Sequence, residues 1–398
     1  MQGKNGGDSR LSEERTIELL IGPQHPSSGH MRLYAEVDGD IVVRLRPNIG
    51  YVHRTVEKLA ETKKYIQIIP LVERPSLADT ANHNLGYVLA LEKLLGIEAP
   101  PRAQYLRTIL AEMNRIHSHF YGLGIHGIML GSSTIFMWGF ADREIMIEMA
   151  QRLTGARLTY SYIIPGGVRR DLPQGFEDEM EKALRYIERR LKDYGKLFLR
   201  NPVTRARLEG VGVLKKEDAI KLGIVGPNLR ASGVPYDVRK VQPYCAYPEL
   251  EFDVAVREEG DSMARVLVRV EEIRQSMRII RQVLKQIPDG PILSENYLKM
   301  IPPKWKEFVE KKGRIKFPAI MANLRPPKGE AFSRVEAARG ELVYYIVSDG
   351  SVTPYRLRMV TPSFRNVVLF EHLIQGCRVA DIPAIYGSLD YFPPEADR

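Results

Sequence analysis

The chain has 398 residues, 44% hydrophobic and 27% charged, a composition that folds and that excludes a disordered chain. Lys and Arg number 58 against 49 Asp and Glu, and this +9 is spread along the chain without an arginine-rich tail or basic-aromatic stripe. Nucleic acid is therefore the weakest partner class, behind anionic lipid and an acidic subunit. Only two cysteines occur, Cys245 and Cys377, which excludes a disulfide framework and a four-cysteine metal site. They read as small buried hydrophobes. Few cysteines with abundant Lys, Arg and Glu suit a hot cytosol.

Residues 1–15 are polar and glycine-rich and read as a loose tether without a signal-peptide pattern. Residues 16–50 form a small β region: a strand over Thr16–Ile21, then a hairpin over Met31–Arg46. In the hairpin Leu33, Ala35 and Val37 alternate, Asp38-Gly39 turns, and Ile41, Val43 and Leu45 alternate again. Between the first two strands, Ile21–His30 holds two prolines, two glycines, two serines and two histidines. Proline fixes φ and glycine permits positive φ, so this is a shaped loop with His25 near its tip. An imidazole exchanges a proton near neutral pH; a merely solvated surface histidine fits the same spacing.

Residues 51–398 read as a helical core with strands near the end. Tyr87–Leu95 is an apolar segment closed by Gly96. Pro101 opens a helix whose Leu106, Leu110, Met113, Ile116 and Phe120 share a face, and Gly122 and Gly124 are expected to end it. His117 and His119, two apart on that helix, point to different faces and are poor co-ligands; one should be satisfied and one solvated. Gly124–Ala141 carries little charge but is too interrupted to span a membrane, so membrane contact must come through partners. Asp142–Leu153 and Phe176–Leu199 are helical, with a rigid basic loop over Ile164–Pro173 between them. Pro202–Pro248 is irregular and suits a binding loop or interface. Met263 to Ile287 repeats by three and four as one long amphipathic helix that Pro288 ends. Asp289–Pro327 reads as loop. Three strands follow over Glu330–Arg339, Glu341–Ser348 and Arg356–Val360, then a helix over Phe364–Gln375.

No dinucleotide fingerprint, phosphate loop or Cys-x-x-Cys is present. Tyr87, on an apolar helix, by itself reads as core with its hydroxyl satisfied. The combination of motifs says more. Gly22-Pro23-Gln24-His25-Pro26, Gly50-Tyr51-Val52-His53-Arg54 with Glu57-Lys58-Leu59, and Tyr87–Leu95 come first. Pro101–Tyr105, Pro165–Val168, Gly226-Pro227, Asp237–Lys240, Ser348–Gly350, Ala380–Pro383 and Glu395–Arg398 follow in order. Together they resemble the quinone-module large subunit of respiratory complex I, which is itself similar to the large subunit of membrane-bound nickel-iron hydrogenases.

The resemblance implies an α+β, mainly helical, hydrogenase large-subunit-like fold with a small N-terminal β region and short C-terminal strands. Where the hydrogenase branch holds nickel and iron on two Cys-x-x-Cys pairs, this chain has Ser76, Asp79, Phe392 and Glu395. Thiolates are what such soft metals require, so no metal is expected here. In the complex I branch a loop histidine and a helix tyrosine bind the quinone headgroup, which carries over to Tyr87 and to His30 or His25. The usual second histidine of that loop falls at Gly29, one before His30, so His30 is the closer counterpart and His25 the fallback. The acidic residue that commonly supports the histidine is replaced by Met129. Electrons would arrive from an iron–sulfur cluster in a small partner subunit, near which Arg54 would lie and tune the cluster.

The expected function is thus a peripheral subunit on the cytoplasmic side of the membrane. It would sit among other peripheral-arm and membrane-arm subunits in an ion-translocating oxidoreductase that reduces a quinone or phenazine with electrons from NADH, deazaflavin or ferredoxin. A membrane-bound sulfane-sulfur reductase of the same superfamily is the alternative, and a non-enzymatic scaffold the third reading.

Overall fold

A computed structural model describes residues 16–25, 29–300 and 324–398. The expected tether over residues 1–15 and most of the expected loop after Asp289 lie outside the described residues. The chain starts with an antiparallel sheet of β1 (Ile17–Ile21), β2 (Arg32–Asp38) and β3 (Ile41–Asn48) in that order. Ile17 pairs with Val37 and Ile21 with Leu33, so the loop carrying the histidines joins paired strands as its context predicts. Alternation sends Leu33, Ala35 and Val37 inward, where they pack with Leu369, Phe370, Ile385 and Leu389 from the end of the chain. The N-terminal sheet is thereby fastened to the C-terminal helices.

The helical body follows: α1 (Val56–Glu61), α2 (Tyr65–Val72), α3 (Thr80–Leu95), α4 (Pro101–Met129) and α5 (Ser133–Thr154). A small hairpin of β4 (Ile163–Ile164) and β5 (Gly167–Val168) stands where the sequence suggested only a loop, and α6 (Phe176–Tyr194) comes next. The expected irregular stretch holds four short helices, α7 (Pro202–Leu208), α8 (Lys216–Lys221), α9 (Pro227–Arg230) and α10 (Val238–Val241). The predicted long helix is α11 (Ser262–Gln286), followed by α12 (Glu295–Met300). A second antiparallel sheet, β6 (Gly329–Ala337), β7 (Gly340–Ser348) and β8 (Arg356–Val360), packs on α3 and α1. The chain closes through α13 (Pro362–Asn366), α14 (Val368–Ile374), α15 (Ile382–Leu389) and α16 (Pro393–Asp397).

Two expectations need correction. α4 does not stop at Gly122 and Gly124 but runs on to Met129. The glycines serve helix–helix contact instead. A Cβ on Gly139 of α5 would lie 2.7 Å from the Cα of Gly124 and 2.8 Å from the carbonyl oxygen of Phe120. Two backbones meet there, and neither can withdraw as a side chain would. Replacing a helical glycine by alanine ordinarily gains up to about 1 kcal/mol, but overpacking a fixed contact costs about 1–3 kcal/mol. Gly139→Ala is therefore expected to lower the denaturant midpoint of the chain; an unchanged or higher midpoint would show that the α4–α5 approach is looser than it looks.

The second correction concerns the paired histidines. Neither is solvated: His119 Nε2 donates to the Glu272 carboxylate at 2.8 Å, and His117 is buried as well. α4 is enclosed on nearly every side, so a residue on its far face meets other helices and not water.

Candidate functional site

The long course of α4 brings its C-terminal half beside the β1–β2 loop and the last turns of the chain. There they enclose a cavity of about 350 Å³. Its wall is aromatic and apolar, with Leu77, Tyr121, Ile125, Met129, Tyr391 and Phe392, and its polar side chains include His30 and Asp390. A small chamber with few polar groups in an apolar wall is the usual form of a site for a small organic molecule. His30 stands at its mouth, itself exposed, because Gly29 and His30 both adopt positive φ (49° and 73°) just before β2 begins. Asp390 caps α15 with φ 50° and is 8% exposed. Gly122 makes room for it: a Cβ there would lie 2.8 Å from Asp390 Oδ1.

Asp390 is held from behind. Arg339 Nη2 lies 3.3 Å from Oδ1, and Arg339 Nε donates to the Asp390 carbonyl at 2.8 Å. Arg269 Nε is 3.9 Å from Oδ2, beyond hydrogen-bond reach, and Oδ2 has no hydrogen-bond partner. Arg339 also lies over the ring of Phe392 at 5.0 Å. Burial pushes the phenol of Tyr121 upward, so that wall group stays protonated at working pH.

Of the residues singled out in the sequence, the structure brings His30 to this cavity. His25 is exposed on the loop and does not line it. Tyr87 does not line it either. Its ring is fully buried, its hydroxyl donates to the Tyr65 carbonyl at 2.8 Å, and burial pushes its phenol well up. Tyr87 instead belongs to a line of buried groups that ends at the cavity wall. Tyr344 packs edge-on against both Tyr87 and His83 at 6.1 Å, and its hydroxyl bonds to His83 Nδ1 at 2.8 Å. His83 Nε2 faces Glu395 Oε1 at 3.3 Å, and Ser363 Oγ donates to the other carboxylate oxygen. Glu395 follows Phe392, Pro393 and Pro394, all on the cavity wall.

Arg54 is exposed on the connection from β3 to α1. Its Nη2 donates to the Arg74 carbonyl at 2.9 Å and its amide to the Arg398 carbonyl at 3.3 Å. Of the four positions where a nickel-iron site would have thiolates, Asp79 and Glu395 are committed to other bonds, Phe392 is a hydrocarbon ring, and the buried Ser76 hydroxyl has no hydrogen-bond partner. Asp79 accepts from Asn82 Nδ2 and from the Ala338 amide, each at 2.6 Å, while burial pushes its carboxyl up. Burial pushes Glu395 the same way, but the His83 hydrogen bond and the Arg339 charge outweigh it and hold this carboxyl below its usual value. Among the described residues no three His, Cys, Asp or Glu are grouped to hold a metal ion. Cys245 and Cys377 are half-buried and not fully buried as expected, and burial pushes the Cys245 thiol up to about 12, which makes it an inert group. Among those residues, too, no helix is long and apolar enough to cross a membrane.

Sequence reasoning missed Asp390 and His83. His83 had one signal: it precedes Tyr87 by four residues and so lies on the same face of α3. Asp390 had none beyond lying close to the C-terminal motif.

Comparison with known proteins shows the family and the fold. The family described as the 49 kDa subunit of respiratory-chain NADH dehydrogenase matches residues 129–398. The chain is 41% identical over 392 residues to an NADH-quinone oxidoreductase subunit of Thermodesulfovibrio yellowstonii, covering 97% of this chain and 98% of that one. It is likewise 41% identical over 390 residues to the corresponding NADH-quinone oxidoreductase subunit of Geotalea uraniireducens, at 98% and 100% coverage. Among solved structures it superposes on a chain of the membrane-bound sulfane sulfur reductase, an archaeal respiratory membrane complex. The TM-score is 0.88, the identity 39%, and the coverage 97% of this chain and 99% of that one.

Proposed function

Because the chain belongs to the family of the 49 kDa subunit of respiratory-chain NADH dehydrogenase, we propose that it forms the acceptor-reducing site of a membrane-anchored, ion-translocating oxidoreductase. The acceptor is a quinone or phenazine headgroup, and the chain sits peripherally on the cytoplasmic side among partner subunits. The observation that carries this reading is the aromatic cavity with His30 at its mouth. An apolar wall holds a planar ring, and an imidazole at the opening can hydrogen-bond a carbonyl oxygen and then protonate it. An iron–sulfur cluster in a small partner subunit supplies the electrons, since two half-buried cysteines cannot ligate one. Arg54, exposed and basic, would raise the potential of that cluster from this side of the interface.

Replacing His30 with Ala is expected to lower quinone-analogue reduction by the purified complex about a hundredfold, with assembly intact, while His25→Ala changes it little. The reverse order of effects would move the site to the loop tip. Tyr87→Phe tests the second proposed donor. A large fall in turnover would mean that the phenol reaches the acceptor through the His83–Glu395 layer, whereas unchanged turnover would leave His30 as the sole donor of the pair.

The likeness to the sulfane sulfur reductase chain supports a second reading, in which the acceptor in the same cavity is a polysulfide. Assaying the complex with a quinone analogue and with polysulfide side by side decides between them.

A further inference from the structure

Among the described residues three phenols line the cavity, those of Tyr121, Tyr386 and Tyr391. Tyr386 and Tyr391 are buried, and the Tyr391 hydroxyl is shut inside the protein with no partner. Tyr121 differs. Its ring is part-exposed, and its hydroxyl is neither shut away in that manner nor bonded to a described residue. It is the phenol of the wall that stays open to an incoming molecule. Tyr87, by contrast, is fully buried with its hydroxyl on the Tyr65 carbonyl.

The Tyr121 ring is held in place. It meets Phe140 at 5.6 Å and Phe392 at 6.1 Å, both edge-on, and the Arg143 guanidinium lies 5.6 Å from its centre. Burial raises the phenol most, and Arg339, Asp390 and Arg143 are the charges that act on it next. After burial, the Tyr121 oxygen in turn raises Tyr386. These neighbours put the Tyr121 hydroxyl at the polar end of the cavity. There the Tyr386 hydroxyl reaches the β1–β2 loop, where a Cβ on Gly29 would lie 3.0 Å from it. His30 follows Gly29, so the imidazole and the open phenol serve one chamber.

We propose that Tyr121 is a catalytic residue of this cavity, its hydroxyl donating a hydrogen bond and then its proton to the acceptor oxygen that His30 does not serve. This rests on the quinone-type reading above. A quinone carbonyl offers lone pairs and no donor, and an open phenol O–H supplies one. Two electrons arrive from the partner cluster, and each carbonyl oxygen takes one proton. His30 gives the first. For the second, the phenol O–H bond breaks, an O–H bond forms on the acceptor, and the phenolate regains a proton from water at the mouth. Arg143 makes no ion pair among the described residues, so its charge favours that phenolate.

The test compares the assembled complex with its Tyr121→Phe variant, using a short-chain quinone and ferricyanide, which takes electrons without protons. The substitution keeps the ring and its contacts with Phe140 and Phe392. The kcat for the quinone should fall about a hundredfold, while ferricyanide reduction stays unchanged. Unchanged quinone turnover overturns the proposal. So does an equal loss with both acceptors, or a variant that fails to assemble, because the hydroxyl then serves the fold. An unaltered complex that reduces no quinone at all instead overturns the reading beneath it.

Discussion

Replacing Arg230 with Met is expected to destabilise the chain by about 3–5 kcal/mol, enough to prevent its recovery as a folded subunit. Arg230 is fully buried where α9 meets α11 and β6. Its guanidinium bonds Glu272 Oε1 through Nε at 3.0 Å and Nη2 at 2.6 Å, and Glu336 Oε1 through Nη1 at 2.7 Å. Around it lie Glu112, Arg115, Asp237 and Arg239, every one buried, with His119 on Glu272. Four carboxyls thus share three guanidiniums. The imbalance appears in their proton affinities: burial pushes Glu336 up, while Arg230 and its neighbours hold Glu272 well down. Removing Arg230 would leave two carboxylates buried with too little positive charge, and the loss of a partner is far costlier than the loss of a balanced pair. The companion measurement makes the mechanism testable. Adding Glu336→Gln to Arg230→Met should restore part of the stability, because it removes one of the orphaned charges. A double variant as unstable as the sum of the two singles would mean that the loss comes from packing of the arginine stem.

That cluster also shows where reading the sequence stops. The strands around Asp38-Gly39 and the long helix ending near Pro288 were legible because alternation and 3.6-residue periodicity are local signals. α11 was correctly placed within a residue or two, yet Arg265, Arg269 and Glu272 on it look like surface charges until α4, α9 and α15 are packed around them. The continuation of α4 through Gly122 and Gly124 was illegible for the same reason. A glycine that breaks a helix and a glycine that admits a neighbouring helix are identical in sequence, and Gly139 lies fifteen positions on from Gly124 by numbering. At the site, the shaped loop and its family resemblance pointed to His30. Asp390 depended on the final turn of the chain folding back against α4, which no short-range pattern encodes.

Glu73→Gln is expected to stabilise the chain at neutral and alkaline pH. Glu73 ends α2, is fully buried, and accepts the Ser161 amide at 2.7 Å and the Ser161 hydroxyl at 3.2 Å. Burial pushes its carboxyl from the usual 4.5 up to about 8, against those two bonds and the nearby Arg74 and Arg169. A raised carboxyl contributes stability that is complete below pH 4.5 and is lost as pH rises toward 8, because the unfolded chain ionises first. At about 1.4 kcal/mol per pH unit, the parent has given up roughly 3 kcal/mol by pH 7. The amide cannot ionise and loses at most one hydrogen bond, about 1 kcal/mol. The variant should therefore be slightly less stable than the parent near pH 4.5 and about 2 kcal/mol more stable at pH 7. Buried His117 and His126 act with the opposite sign. Burial pushes both down to about 3, so their contribution is complete above pH 6.5 and is lost as pH falls. Between pH 4.5 and 6.5 the carboxyl and the imidazoles pull against each other, and the parent's own stability profile hides both. The difference between parent and Glu73→Gln isolates the carboxyl. Denaturant titrations of the two chains from pH 4.5 to 8 should diverge steadily, and parallel curves would mean that Glu73 is ionised in the folded chain after all.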